Sequence, residues 1–489
     1  MIFDGAMISP AALLASPLDR RPGAPPRQRQ LIQRLRSAIL AGQFPAGARL
    51  PSSRTLSEEL GISRNTVLIA YEQLTAEGYV VADRQGTRVA ALSRAPVRSA
   101  PGPAAPAAAA ARRLERITQA RQPRAGSPPF TAGTPALDQF PLGAWRRALE
   151  RALRESPAAT LDYGDPLGEP ALREAIAQHL RVSRGVRCEA AGVVITEGAQ
   201  GALSLCVQLL TNPGDAAWLE DPGYRGAKAA FYAGDLDVTG MRVDADGIVI
   251  PESAWTRPPR LIQTTPSHQY PTGAVLSLAR RLDLLERARR AGAWIIEDDY
   301  DSEFRHLGEP IAAMQGLLPD APVLYVGTFS KTMFPSLRLG FLVLPQAIAG
   351  ATLTAAAEML RGGRRLDQLS MAAFIGNGQF ARHLGRMRRL YRERQAALRD
   401  ALAAHLGVDH EVLGGHGGLH LTLRLPPEFP DRALAAQARQ AGMNPGALSS
   451  FALAPRPEDN GLVLGYGNTD ASRYPALVKR LARLLRQMT

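Results

Sequence analysis

Apolar residues return along this chain in two rhythms. Leu31, Ile32, Leu35, Ile39 and Leu40 share one face of a helix over 28–40, which the turn residues Gly42 to Gly47 end. Next comes LPSSRTLSEELGISRNTVLIAYEQLTAEGYV. There Ser52 or Ser53 caps a helix running to Leu60, Gly61 supplies a tight turn, and Ser63 caps a second helix over 64–77. Segments 79–82 and 87–90 flank 83–86 as a hairpin. Beyond Phe130 the rhythm changes. Short apolar runs at 192–196, 216–220, 261–264, 294–297, 323–326 and 340–344 are bounded by Gly, Pro or Asp, with helical periodicity between several of them, as over 278–290. This alternation predicts an α/β fold whose mostly parallel sheet is covered on both faces, followed by a small α+β subdomain over 426–489.

At 489 residues the chain is too long for one hydrophobic core. Residues 93–129 are rich in Pro and Ala and read as a linker with one short helix near 112–120, dividing a small domain at 20–92 from a large one at 130–489. Charge is divided as unevenly as length. Residues 1–127 hold 18 Arg and no Lys against 8 acids, a net +10 of the chain's +13. Such a basic front attracts a polyanion, with nucleic acid or an anionic membrane surface as the partner, and no apolar run is long enough to cross a bilayer. Segment 1–16 lacks the basic start of a signal peptide. Two cysteines, Cys188 and Cys206, make neither a disulfide framework nor a zinc cluster, which fits a reducing cytoplasm and no metal.

The second helix of the front opens with Arg64, Asn65 and Thr66, polar groups able to reach phosphates and base edges from the major groove, and the hairpin tip carries Arg84. Ser-Arg-Asn-Thr at a helix start is also an ordinary cap. The run Leu50 to Tyr79, however, resembles the GntR winged-helix family: Leu-Pro-Ser-Ser-Arg, a helix, Gly-x-Ser-Arg-x-Thr-Val, Ala-Tyr-x-x-Leu and Glu-Gly-Tyr stand almost without gaps. The resemblance implies a double-stranded operator as partner, contacted by Ser52, Arg54, Ser63, Arg64, Asn65, Thr66 and a wing around Gln85, Gly86 and Thr87. The tip RQGT lacks an extra Gly frequent in that family.

Four pieces of the large domain carry chemistry. VGTFSKTMFPSLRLG places Lys331 just past a strand, beside Thr328, Ser330 and Arg338. Lysine forms imines once partly deprotonated, and hydroxyls with a guanidinium suit a phosphate-bearing aldehyde. IIEDDYDSEF sets consecutive acids at the carboxyl end of a strand, where parallel sheets bind ligands; acid pairs there hold either a pyridinium nitrogen or magnesium. In ITEGAQGAL the N–H groups of Ala199 and Gln200 open a helix and offer a phosphate site. EDPGY ends a strand with Tyr224, an aromatic face for stacking. Singly, each is also plain turn or surface chemistry.

Together with DYGDPLGEPALREAI and TPSHQYPTG, these pieces resemble the fold type I aminotransferases over Phe130 to Thr489, and the whole chain resembles the MocR subfamily of regulators. The resemblance implies pyridoxal 5'-phosphate (PLP) in a Schiff base on Lys331, with Asp298 at the pyridine nitrogen and Tyr300 at the ring hydroxyl. It further implies Tyr224 for stacking, Ala199, Gln200, Thr328 and Arg338 for the phosphate, and Tyr163 reaching a neighbouring subunit in a homodimer. Asp298 rather than Asp299 follows from the Asp-x-Tyr spacing of related regulators. Two departures stand out. Tyr270-Pro271-Thr272-Gly273 replaces Asn-Pro-x-Gly, leaving His268 or Gln269 near the ring hydroxyl. Val463-Leu464-Gly465-Tyr466 replaces Arg-x-x-Phe, whose Arg grips a substrate carboxylate, with Arg225, Arg361 or Arg364 as possible substitutes. Without that bidentate clamp, transamination loses affinity and alignment. The expectation is a regulator sensing PLP or an amino compound; an active aminotransferase with an accessory DNA-binding domain and a cofactor-free scaffold are the alternatives.

Overall fold

The computed structural model describes residues 17–84, 86–91, 109–117, 126–306, 308 and 311–488. The chain divides into two compact units, Met1–Ala109 and Ala110–Thr489.

The first unit contains α1 (Arg27–Leu40), α2 (Ser53–Leu60), α3 (Arg64–Ala76) and the antiparallel hairpin β1 (Val80–Asp83) and β2 (Gly86–Val89). Local chemistry sets these boundaries. Ser52 accepts from the Thr55 N–H (3.1 Å) to start α2, and Ser63 accepts from the Thr66 N–H (3.2 Å) to start α3. Gly61, left-handed at φ 59°, ends α2 and turns the chain between them. Leu31, Leu35, Leu56, Val67, Ala70 and Leu74 bury completely into one core. Each larger apolar side chain there contributes roughly 1.5–3 kcal/mol. Tyr71 adds a hydrogen bond from its hydroxyl to the Pro51 carbonyl (2.7 Å).

The second unit is built on an eight-stranded sheet. Its strands are β3 (Val193–Thr196), β4 (Ala216–Asp221), β5 (Asp237–Asp244), β6 (Gly247–Ile248), β7 (Leu261–Thr264), β8 (Trp294–Asp299), β9 (Val323–Thr328) and β10 (Gly340–Val343), in the order β3-β10-β9-β8-β7-β4-β5-β6. Strands β4, β5, β7, β8 and β9 run parallel, whereas β10 is antiparallel to both β3 and β9. Alternate residues feed separate cores: Val193, Ile195 and Tyr325 pack on one side, Val194, Leu324 and Val326 on the other beneath the helix Gly198–Leu210. The sheet is thus covered on both faces.

A second, antiparallel sheet follows the helix Gln379–His405, with β11 (Glu411–Leu413), β12 (His420–Arg424), β13 (Gly446–Ala447) and β14 (Gly461–Gly465) in the order β11-β12-β14-β13. The C-terminal subdomain therefore begins before residue 426, because β12 supplies the central pairing partner of β14. Within the linker region, Arg112–Arg116 forms a short 3-10 turn, and Arg116 sits over the Tyr232 ring (4.2 Å to its centroid) while donating to the Leu236 carbonyl (3.2 Å). No helix among the described residues is long and apolar enough to cross a membrane.

Candidate functional site

On the small unit, Ser52, Arg54, Ser63, Arg64, Asn65 and Gly86 are exposed, and Thr66 and Thr87 are half-buried. The two serines spend their side chains on caps. Arg64 opens α3 with its Nε donating to Ser53 Oγ (3.2 Å), which joins the two helices of the turn. Gln85 lies outside the described residues, but Gly86 pairs with Asp83 at the hairpin end. Polar groups from the start of α3 and the hairpin remain available to a duplex, as a winged helix requires.

On the large unit, the parallel strands all deliver their carboxyl ends to one edge. β4 brings Glu220, β8 brings Asp298 and Asp299, and β9 brings Thr328. Lys331 follows Thr328 by three residues, and its Nζ donates to the Gly133 carbonyl (2.7 Å). Gly133 sits at φ 70°, a left-handed conformation that favours glycine, and a Cβ there would stand 2.9 Å from that Nζ.

The neighbouring acids differ in what satisfies them. Asp299 is committed: Arg184 Nε donates to it at 2.9 Å, Tyr325 hydroxyl at 2.6 Å and Ser302 hydroxyl at 2.8 Å. Glu220 accepts from Thr264, Thr265 and Gln269. Asp298 is buried, yet its Oδ1 has no hydrogen-bond partner. Burial pushes its carboxyl up to about 7; Asp299, Glu220 and Asp301 add to this, and Lys331 opposes it.

The remaining predicted residues lie on neighbouring elements. Gly340 of β10 pairs with Thr196 on one side and Thr328 on the other, which sets the start of the Gly198–Leu210 helix, with Ala199 and Gln200, beside the Thr328 loop. Arg338, left-handed at φ 52°, donates from Nη2 to the Glu197 carbonyl (2.7 Å) just before that helix, and Thr328 Oγ1 lies 3.0 Å from Ser330 Oγ. Tyr224 stands edge-on to Tyr270, as Tyr270 does to Tyr300. Tyr300 hydroxyl donates to the His268 carbonyl (2.9 Å) and lies 3.0 Å from His268 Nδ1. That Nδ1 also lies 3.1 Å from both Asp301 oxygens, while His268 Nε2 is buried without a partner.

Gln269 takes a different part from the one anticipated. Its Nε2 donates to Glu220, to the Pro222 carbonyl (2.9 Å) and to the Tyr270 carbonyl (2.8 Å), and its Oε1 accepts from Thr272. Those bonds lock the turn before Gly273 and leave His268, rather than the Gln269 amide, with a polar atom to offer. Tyr163 is 81% exposed and stands apart from the cluster within one chain.

Two family models match. The chain matches bacterial regulatory proteins of the gntR family over residues 27–89 and aminotransferase class I and II over 129–458. It is 40% identical over 453 residues to the probable rhizopine catabolism regulatory protein MocR of Rhizobium meliloti, covering 91% of each chain. This chain belongs to the MocR-type regulators. It is also 31% identical to the pyridoxine biosynthesis transcriptional regulator PdxR of Corynebacterium glutamicum, covering 90% of this chain and 92% of that one. Among solved structures, the α-aminoadipate aminotransferase LysN of Thermus thermophilus superposes with a TM-score of 0.68 at 27% identity, over 73% of this chain and 92% of its own. This MocR-type chain is therefore a helix-turn-helix transcription regulator whose large unit has the fold of a PLP-binding enzyme family.

Several residues of the candidate site carried no local signal. Gly133 lies almost two hundred positions before the lysine it receives, and Arg184, which neutralises Asp299, closes a helix 115 positions upstream. His420, from the small sheet, brings its ring 4.9 Å from that of His268. Only the fold unites them.

Proposed function

We propose that this MocR-type regulator holds PLP covalently through Lys331 Nζ and uses its occupancy to change how a homodimer meets operator DNA. The observation that carries the reading is the Asp298 carboxyl. A buried acid oxygen without a hydrogen-bond donor lies at the strand edge that also presents Lys331, and a protonated pyridine nitrogen is the donor it lacks. When bound, the cofactor supplies an aldehyde that condenses with amines.

The residues present fit such a ligand. The helix start at Ala199 and Gln200, with Thr328 and Arg338, offers N–H groups, a hydroxyl and a guanidinium to a phosphate. Tyr224 offers a stacking face, and Tyr300 with His268 offers polar atoms to the ring hydroxyl. In this reading Tyr163, 81% exposed within one chain, is the residue that meets the partner chain of the homodimer. Regulation follows from linkage: a ligand preferring one arrangement of the large unit biases the paired reading heads by its differential affinity.

Operator mobility shifts test this reading. The full-length protein is expected to change its operator affinity when PLP is added, and Lys331→Ala is expected to remove that response while retaining PLP-independent DNA binding. Equal PLP responses from both proteins would refute it.

A further inference from the structure

We infer that the effector read through Lys331 is a primary amine without an α-carboxylate; the inference rests on the PLP reading above and names the ligand class of that same pocket. The wall beside the lysine carries the argument. Gly133, whose carbonyl receives Lys331 Nζ, follows the segment Phe130 to Ala132, and β14 runs directly against that segment. Gly465 bridges Phe130, and a side chain at Gly465 would run into Thr131 and Ala132. Positions two apart in a strand share a face, so Val463 points the same way. It is fully buried, packed with Leu448, Phe451, Ala132 and Tyr270. Tyr270 meets Tyr224 and Tyr300 edge-on, with ring centroids 6.1 and 5.9 Å away. Hydrocarbon thus stands where a carboxylate-gripping Arg would be expected from the Arg-x-x-Phe pattern.

The charges nearby point the same way. Asp298 and Asp301, both buried acids, and the His420 ring lie close enough to Lys331 to feel its charge. Several arginines of this unit are committed elsewhere. Arg364 pairs with Glu197 (3.2 Å) and Asp367 (3.3 Å), and Arg184 with Asp299 (2.9 Å). A carboxylate directed at the Val463 wall would exchange water for hydrocarbon. An amine with an uncharged body suffers no such loss. Exchange itself needs no oxidant or other reactant. With the cofactor bound, the incoming nitrogen would replace Lys331 Nζ on the aldehyde carbon, the carbon–Nζ bond would break, and the two protons of the incoming amine would pass to Nζ.

Matched pairs differing only in the carboxylate decide the matter: phenethylamine against phenylalanine, tyramine against tyrosine, isobutylamine against valine. Each is titrated into PLP-loaded full-length protein while the visible absorption band is followed. The amine of each pair is expected to act at concentrations roughly tenfold to a hundredfold lower than the amino acid. Val463→Arg is expected to reverse that order, and if this variant fails to fold, the pairs on the unmodified protein still decide. Equal potency, preference for the amino acids, or no response to any of these amines overturns the inference. Loss of an amino-acid response in Arg225→Ala would identify a substitute clamp and overturn it as well. Absence of any Lys331-dependent band would instead refute the underlying PLP reading, and this inference with it.

Discussion

Replacing Asp298 by Asn removes a carboxyl that burial and three neighbouring acids push from 3.8 up to about 7. A carboxyl raised in this way binds its proton more tightly in the folded protein than in the unfolded chain. The stability it contributes is therefore full below pH 3.8 and is lost as pH climbs through about 7. At 1.36 kcal/mol for each pH unit of displacement, the complete loss is about 4 kcal/mol, of which about 2 kcal/mol falls between pH 5.5 and pH 8. Glu303, also pushed up to about 7, together with Glu220 and Asp301 contributes slope of the same sign, so the informative quantity is the difference between the parent protein and Asp298→Asn. Urea unfolding of the PLP-free large unit, followed in the full-length chain at both pH values, measures it. The parent should lose about 2 kcal/mol more than the variant across that interval. With PLP added, the variant should also bind roughly tenfold to a hundredfold more weakly, having exchanged a charge-assisted hydrogen bond for a neutral one. Parallel pH slopes together with unchanged PLP affinity would refute the assignment of Asp298.

Gly133→Ala would put a Cβ 2.9 Å from Lys331 Nζ at a φ of 70°, so PLP affinity measured by absorbance titration should fall at least about tenfold while PLP-independent operator binding persists. Arg184→Ala leaves Asp299 buried without its cation, and urea denaturation should show the large unit destabilised by about 3–5 kcal/mol. Arg64→Ala should weaken operator binding in mobility shifts and reduce the slope of log affinity against log salt by about 1 if that guanidinium neutralises one phosphate, leaving the PLP spectrum unchanged.

Local features were the most legible in the sequence. Ser52 and Ser63 cap helices through bonds spanning three residues, so spacing alone predicts both starts, and Gly61 marks the turn between them. The central strands were equally plain, since burial on both faces makes their sequences continuously apolar. Strand β5 escaped because it lies towards the sheet edge, where Asp237 and Thr239 face outward and dilute the apolar pattern. The small sheet was placed too late because the central position of β12 depends on its pairing with β14, about forty residues away in sequence.

The site divides along the same line. Lys331, Thr328 and Arg338 occur in one short run, so their chemistry could be read together. The resemblance chose Asp298 over Asp299 by spacing alone; the physical difference between the two acids lies in the remote Arg184, which donates to Asp299 and leaves Asp298 without that partner. Gln269 looked available in sequence because its donors and acceptors could not be counted there. Once folded, Glu220 and two carbonyls take its amide.

Borohydride reduction of the PLP-treated protein, followed by peptide mass spectrometry, tests the central assignment most directly. The account predicts a stable pyridoxyl group on the peptide containing Lys331 and none on those containing Lys228 or Lys479. A modification confined to either of those two lysines, or an unmodified Lys331 under conditions where PLP changes operator binding, would contradict it.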